Sequence, residues 1–228
     1  MEAQFIELCK IGNLDNIEKL IESSQYVNIH VNDEYAIRWA CFNGHLHIVK
    51  YLTNLYKIRQ SRNINYKIIN IHSWNEEGFI KACGNGHLHI VEYLTNLYKI
   101  NTDYKIINIH SWNEEGFRTA CNNGHLPVVE YLINLYKINT DYKIINIHSC
   151  NENGFRSACE NGRLHIVEYL INLYKIQPSR NTDYKIINIH SYNEEGFRLA
   201  CENGHLHIVK YLLSIGSYLP NREYVVLL

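Results

Sequence analysis

The chain has few of the features that mark membrane insertion, export or nucleic-acid binding. No apolar stretch approaches the roughly 20 residues needed to span a bilayer. The N-terminus, Met1-Glu2-Ala3-Gln4, is acidic and polar, unlike a secretory signal, so export is not indicated. Formal net charge is −1, and no long run of lysine or arginine occurs. Bulk attraction to nucleic-acid phosphates or to an anionic membrane is therefore not expected.

Paired cysteines and catalytic motifs are also missing. The seven cysteines are an odd number without a Cys-x-x-Cys pair. Six of them recur at one repeat position, where stacking would separate them by roughly 10 Å, and a disulfide requires Cα atoms within about 7 Å. A reducing intracellular compartment, the cytoplasm, is predicted. No nucleophile–base pair, phosphate-binding glycine loop or carboxylate dyad stands outside the repeats, so we expect no catalytic residue and no cofactor.

What the chain does contain is one segment in several copies. The segment Ala82-Cys83-Gly84-Asn85-Gly86-His87-Leu88 returns in three close copies and two looser ones, which begin at Ala120, Ala158, Ala200, Ala40 and Leu8. The cysteines of these copies are 32, 42, 38, 38 and 42 residues apart. A period in this range indicates a stacked array, in which each copy packs against its neighbours.

Each copy predicts a pair of helices. The segment Asn75-Glu76-Glu77 is expected to start the first helix. The Asn75 side chain can accept hydrogen bonds from the free backbone amides of the first turn, and the two carboxylates suit the positive end of the helix dipole. Phe79, Ala82 and Cys83 then form one buried stripe. Gly84-Asn85-Gly86 ends the helix, because glycine tolerates left-handed geometry.

The second helix is predicted to run from about Leu88, with Leu88, Val91, Leu94 and Tyr98 on its apolar face. The connector 103–111 recurs as 141–149 and 183–191, and its β-branched Ile-Ile-x-Ile core predicts a loop or short hairpin that projects from the stack. Two copies carry four additional residues, 59–62 and 177–180, which a surface loop tolerates at little cost.

The pattern Ala-Cys-x-Asn-Gly-His-Leu-x-Ile-Val-x-Tyr-Leu resembles the core of the ankyrin repeat over residues 1 to about 215. One departure is Glu77-Gly78-Phe79-Ile80, which replaces the usual Thr-Pro-Leu-His. The resemblance implies an all-α ankyrin-repeat solenoid of stacked helix-turn-helix pairs with projecting loops. It also implies a concave side made of loop tips and first helices, which in this family usually binds another protein.

We predict a single domain, 1–228, with repeats at 1–31, 32–74, 75–112, 113–150, 151–192 and 193–220 and a half-repeat at 221–228. The final Val-Val-Leu-Leu is interpreted either as a cap on the last repeat or as an apolar docking end. The segment Asn32 to Ala40 looks like the ankyrin proteins of giant DNA viruses of amoebae, and the wealth of Ile, Asn, Lys and Tyr agrees with that origin. A viral origin would make the partner a host protein.

The thirteen histidines raise the question of a metal site. His87 and His89 recur as His45/His47 and His205/His207. Residues at i and i+2 of a helix diverge, so such a pair cannot chelate well. The cysteines lie on the apolar stripe, where a small hydrophobic residue is expected. We predict a structural role for the histidines and no metal.

Comparison of the copies points to candidate contact residues. Two positions of the first helix vary in size and charge, and they hold Trp39 and Phe42 in one copy and Lys81 and Gly84 in the next. Aromatic residues precede several first helices and either anchor a partner or pack on neighbouring repeats. A line of arginines near these positions either meets an acidic partner or pairs with neighbouring glutamates; this arginine line consists of Arg38, Arg118, Arg156 and Arg198. The predicted partner-binding residues are Trp39, Phe42, Trp74, Lys81, Trp112, Arg118, Arg156, Tyr192 and Arg198.

These observations predict a non-catalytic, monomeric scaffold that binds a protein through its concave face and loop tips. One alternative is a structural or self-associating element, which the near-identical repeats favour. Another is binding of single-stranded RNA through the arginine line and aromatic tips, although no nucleic-acid partner is expected from the net charge.

Overall fold

A computed structural model describes residues 1–23, 27–60, 67–176 and 186–216. All regular secondary structure in these ranges is helical, which confirms the all-α prediction. The twelve helices are α1 Glu2–Ile11, α2 Leu14–Ser23, α3 Val31–Phe42, α4 Leu46–Gln60, α5 Ser73–Gly84, α6 Leu88–Ile100, α7 Ser111–Asn123, α8 Leu126–Ile138, α9 Ser149–Glu160, α10 Leu164–Ile176, α11 Ser191–Glu202 and α12 Leu206–Ser214. The predicted half-repeat 221–228 lies outside the described residues.

The chain divides into two compact units, Met1–Ser111 and Trp112–Leu228. In the first unit α3 packs against both α1 and α5, and each of these first helices also contacts the second helix of its own pair. In the second unit α9 packs against α11 in the same manner. Consecutive helix pairs therefore stack within each unit. None of the described helices is long and apolar enough to cross a membrane.

The first helices bury the predicted stripe. Phe79, Ala82 and Cys83 are each at most 1% exposed. Gly78 lets the neighbouring helix approach, since a Cβ there would lie 3.4 Å from the Sγ atom of Cys41. All seven cysteines are free thiols. Burial raises the pKa of the Cys41 thiol to about 12.

The second helices bury Ile90, Val91, Leu94 and Leu97. Burial of each such side chain contributes about 1.5–3 kcal/mol. Leu88 and Tyr98, also predicted on the apolar face, are only partly buried.

The connector after α6 is a loop without strand pairing, and it is anchored to the repeat. Tyr104, Ile107 and Ile109 are buried, whereas Lys105 and Ile106 are exposed. The Tyr104 hydroxyl donates to the Thr53 carbonyl at 2.9 Å. The connector thus adds apolar area to the core of the first unit.

Candidate binding surface

A left-handed turn forms the start of the first helices α3, α5, α7, α9 and α11. It presents the residues that we call the tips, which are Trp74, Trp112, Cys150 and Tyr192. In α5, Trp74, Asn75 and Glu76 have φ values of 52°, 51° and 70°. Left-handed geometry costs a non-glycine residue about 1–2 kcal/mol, so surrounding contacts must hold it. The expectation that the Asn75 side chain caps the helix is wrong: no side-chain cap forms, and the Asn75 carbonyl accepts the Ser111 hydroxyl at 2.8 Å.

Glu76 is buried, and its carboxylate holds the turn to the next connector. One carboxylate oxygen accepts hydrogen bonds from the backbone N–H of Asn108 at 3.1 Å and from the Nδ1–H of His72 at 2.9 Å. We call this arrangement of a carboxylate, an amide and a histidine the glutamate clamp. The hydrogen bond from the asparagine backbone N–H to the carboxylate recurs within the units in the pairs Glu34–Asn70, Glu114–Asn146 and Glu152–Asn188. Glu76, predicted to face the positive end of the helix dipole, thus also ties one repeat to the next, and the other three carboxylates make the same connection.

The tip residues at the start of these helices are exposed. Trp74, Trp112 and Tyr192 are 64%, 59% and 57% exposed, and Cys150 is exposed at the equivalent position. An arginine of the preceding repeat lies over two of these rings: the Arg38 guanidinium is 5.3 Å from the Trp74 ring centroid. The corresponding distance from Arg156 to Tyr192 is 4.7 Å. The Trp74 and Tyr192 rings thus each pack on an arginine and still present much of their surface to solvent.

The arginine line makes a regular set of internal bonds. Arg118 donates to the backbone carbonyls of Asn113 at 2.9 Å and Trp112 at 3.0 Å, and to the Asn153 side chain at 3.1 Å. These bonds brace the left-handed turn.

The other three arginines brace their own turns in the same way. They are Arg38, Arg156 and Arg198. Arg38 also forms an ion pair with Glu77, and Arg156 with Glu195, as the pairing alternative proposed. Partner binding by Arg118, Arg156 and Arg198 stays a prediction, and it would have to compete with these bonds.

Trp39 and Phe42 lie side by side on α3 and are half-buried. Their ring centroids are 5.0 Å apart, with the rings edge to face, and Tyr35 extends the cluster at 5.8 Å from Trp39. Lys10 of α1 places its Nζ atom 4.8 Å from the Trp39 ring centroid. These are normal cation–π and edge-to-face distances.

A cavity of about 230 Å³ opens between α3 and α5 beside this cluster. We call it the Trp39 groove; its lining is Tyr35, Arg38, Trp39, Phe42, Glu77 and Lys81. It is smaller than the 300 to 1,000 Å³ or so of typical small-molecule pockets. The structure thus brings the predicted residues Trp39, Phe42 and Lys81 together.

Tyr35 and Lys10 also belong to this surface, although sequence comparison did not select them. Tyr35 lies four residues before Trp39, one helical turn away, so helical spacing could have found it. Lys10 comes from a different repeat, and its position depends on the packing of α1 against α3.

The histidines of the second helices hold neighbouring repeats together. His87 donates its Nε2–H to the Phe42 carbonyl at 2.8 Å, and His89 approaches the Gly44 carbonyl at 3.2 Å. His45 and His205 make the corresponding bonds to Lys10 and Glu160. These contacts account for the recurring pairs as structural elements.

The helix pairs, their glycine turns and the stacking within each unit define an all-α repeat protein. A family model described as ankyrin repeats, in three copies, matches residues 5–106, 79–182 and 118–222. The chain belongs to the ankyrin repeat family. No curated protein matches it. Ankyrin repeats generally mediate protein–protein interaction and are generally not enzymes.

Proposed function

We propose that this protein is a non-catalytic scaffold that binds another protein through its first helices and the tips at their start. The supporting observation is the Trp39–Phe42 pair. The next copy holds Lys81 and Gly84 at the same positions and keeps its helix pair, so packing does not require aromatic rings there. Half-exposed aromatic residues that the fold does not need are candidate interface anchors.

The tip residues Trp74, Trp112 and Tyr192 are the second set of candidate contacts in this proposal. They are more than half exposed, and left-handed backbone turns present them. We propose a reducing compartment, the cytoplasm, because the cysteines are unpaired thiols. A monomer remains part of the proposal. If the resemblance to giant-virus proteins reflects its origin, the partner is a host protein.

Affinity capture from an extract of the natural host tests this function. The full chain is compared with Trp39→Ala/Phe42→Ala and with the control Thr119→Ala/Asn122→Ala, which truncates the equivalent positions of another copy. We expect the full chain and the control to capture the same protein and the aromatic variant to lose it. Equal capture by all three chains would remove the Trp39–Phe42 pair from the function. Concentration-dependent association without any captured protein would favour a self-associating element.

A further inference from the structure

We infer that the Trp39 groove binds an acidic segment of the partner protein, with an apolar side chain against the rings and a carboxylate near Lys81. This inference rests on the proposed function and adds the chemistry of the partner. It follows from the shape of the groove, the charges around it and the way its rings are arranged.

The size and lining of the groove suit one side chain of a protein segment. Its volume is about 230 Å³, and Trp39 and Phe42 supply an apolar wall. The two rings meet edge to face at an interplanar angle of 62°, so they form a corner. A corner accepts a branched or aromatic side chain, whereas stacked nucleic-acid bases need parallel ring faces.

The charges around the groove favour an acidic partner. Arg38 and Lys81 line it, Lys10 lies over Trp39, and Glu77 is its one acidic lining residue. Glu77 is already paired with Arg38. This local excess of positive charge is found in a chain whose formal net charge is −1.

Lys81 is the cation best placed for the partner carboxylate. It is exposed, and no ion pair of its ammonium group is found among the described residues. Within the described ranges, the one carboxylate near the Lys10 ammonium is that of Glu7, at 3.9 Å. A carboxylate near Lys81 would therefore gain attraction without breaking an internal ion pair.

A cationic ligand fits the groove less well, although aromatic rings attract cations. The ring faces of Trp39 and Tyr35 already have the Lys10 ammonium at 4.8 and 5.6 Å. A second cation would have to displace Lys10 and approach Lys81 and Arg38. Repulsion between like charges opposes this.

Selection of displayed random twelve-residue peptides against the full chain tests the inference, with counter-selection against Trp39→Ala/Phe42→Ala. We expect the selected peptides to be acidic and to contain an apolar side chain. Fluorescence anisotropy of a labelled selected peptide should show affinity falling about 30-fold or more in Trp39→Ala. Lys81→Glu should weaken it about 10-fold. Lys105→Glu, a charge reversal on the exposed connector, is the matched control and should change little.

A charge exchange provides the sharpest check. A peptide whose carboxylates are replaced by lysines should bind Lys81→Glu better than it binds the parent chain. Basic selected peptides, or equal effects of Lys81→Glu and Lys105→Glu, would overturn the inference. So would a labelled oligouridine that competes with the peptide for the Trp39 groove.

Host capture and peptide selection together separate the two proposals. In one outcome, host capture depends on Trp39 while the peptide selection yields no binder. That result would support the protein-binding function and overturn the inference that the groove binds an acidic segment. The partner would then be recognised as a folded surface. Failure of both experiments would overturn both proposals.

Discussion

The imidazole of His87 occupies the space that a side chain at Gly44 would need. A Cβ at Gly44 would lie 2.7 Å from the Cε1 atom of the ring, and the backbone there has φ +80°. The same ring donates to the Phe42 carbonyl. One histidine therefore fixes both the turn of the preceding repeat and the distance between two repeats.

Gly44→Ala should destabilise the protein more than Gly204→Ala. Both positions are left-handed, at φ +80° and +72°, so both variants pay about 1 kcal/mol of backbone strain. In the part of the chain that the structure describes, nothing lies within 4 Å of a Cβ at Gly204. Displacement of His87 should therefore cost Gly44→Ala about 1–3 kcal/mol more in urea unfolding. Equal losses would show that the ring moves aside freely.

Glu152→Ala should remove one glutamate clamp. The buried carboxylate accepts the Asn188 amide at 3.2 Å and the His148 ring at 2.8 Å. Its loss leaves both donors without their acceptor, and we expect a loss of about 2–3 kcal/mol in the free energy of unfolding. Glu160→Ala changes an exposed glutamate at the end of the same helix and is the control. A cost no larger than that of the control would contradict the clamp.

The thiols should differ in reactivity. Cys150 is exposed and Cys201 is partly buried, whereas the other five are buried: Cys9, Cys41, Cys83, Cys121 and Cys159. Burial also raises the pKa of the buried thiols, which lowers the fraction of reactive thiolate. A thiol reagent with mass spectrometry should modify Cys150 first in the native chain and all seven cysteines after denaturation. Early modification of Cys83 would show that the repeats open readily.

Stability should fall at alkaline pH. Burial raises the pKa of Cys9 and Cys41 from 9.0 to about 12 in the folded chain, so the folded state retains protons that the unfolded state loses. The associated stability is complete below pH 9.0 and is lost as the pH rises towards about 12. Urea unfolding of Cys9→Ala/Cys41→Ala should show a shallower decline. Cys150→Ala should retain the parent slope, and an unchanged slope in the double variant would contradict the prediction.

Cys150→Trp should stabilise the second unit. Arg156 lies over the Tyr192 ring, whereas Arg118 has only Cys150 at the equivalent tip position. A tryptophan would give Arg118 an aromatic face, worth about 0.5–1 kcal/mol at an exposed site. The measurement is the urea midpoint relative to Cys150→Ser. An unchanged or lower midpoint would show that Arg118 cannot stack from its present position.

The features that sequence predicted best depend on spacing within one repeat. The stripe of Phe79, Ala82 and Cys83 follows from helical periodicity, and the glycine turn follows from residue type. The left-handed turn was missed because Asn75-Glu76-Glu77 is equally typical of a helix start. What determines its geometry is a set of partners in the next repeat, 32 or more residues away, such as the Asn108 amide.

Only part of the candidate surface was predicted, because the rest depends on contacts between repeats. Trp39, Phe42 and Lys81 emerged because copies could be compared position by position, and change in size and charge indicates a position that packing does not determine. Lys10 and the Arg38–Glu77 ion pair depend on packing between repeats. No local sequence pattern encodes the distance from Lys10 to the Trp39 ring or the angle between the Trp39 and Phe42 rings.

In the glutamate clamp, the distance from the carboxylate oxygen to the asparagine backbone nitrogen is nearly the same whether the two residues are 32 or 36 positions apart along the chain. The oxygen-to-amide distance is 3.0 Å for Glu34–Asn70 and 3.1 Å for Glu76–Asn108, although the first pair spans four additional residues. The four additional residues between the two partners thus leave the clamp distance nearly unchanged. The stretch ahead of each connector is a natural place to graft foreign peptides, and a lineage could diversify there without rebuilding its repeats.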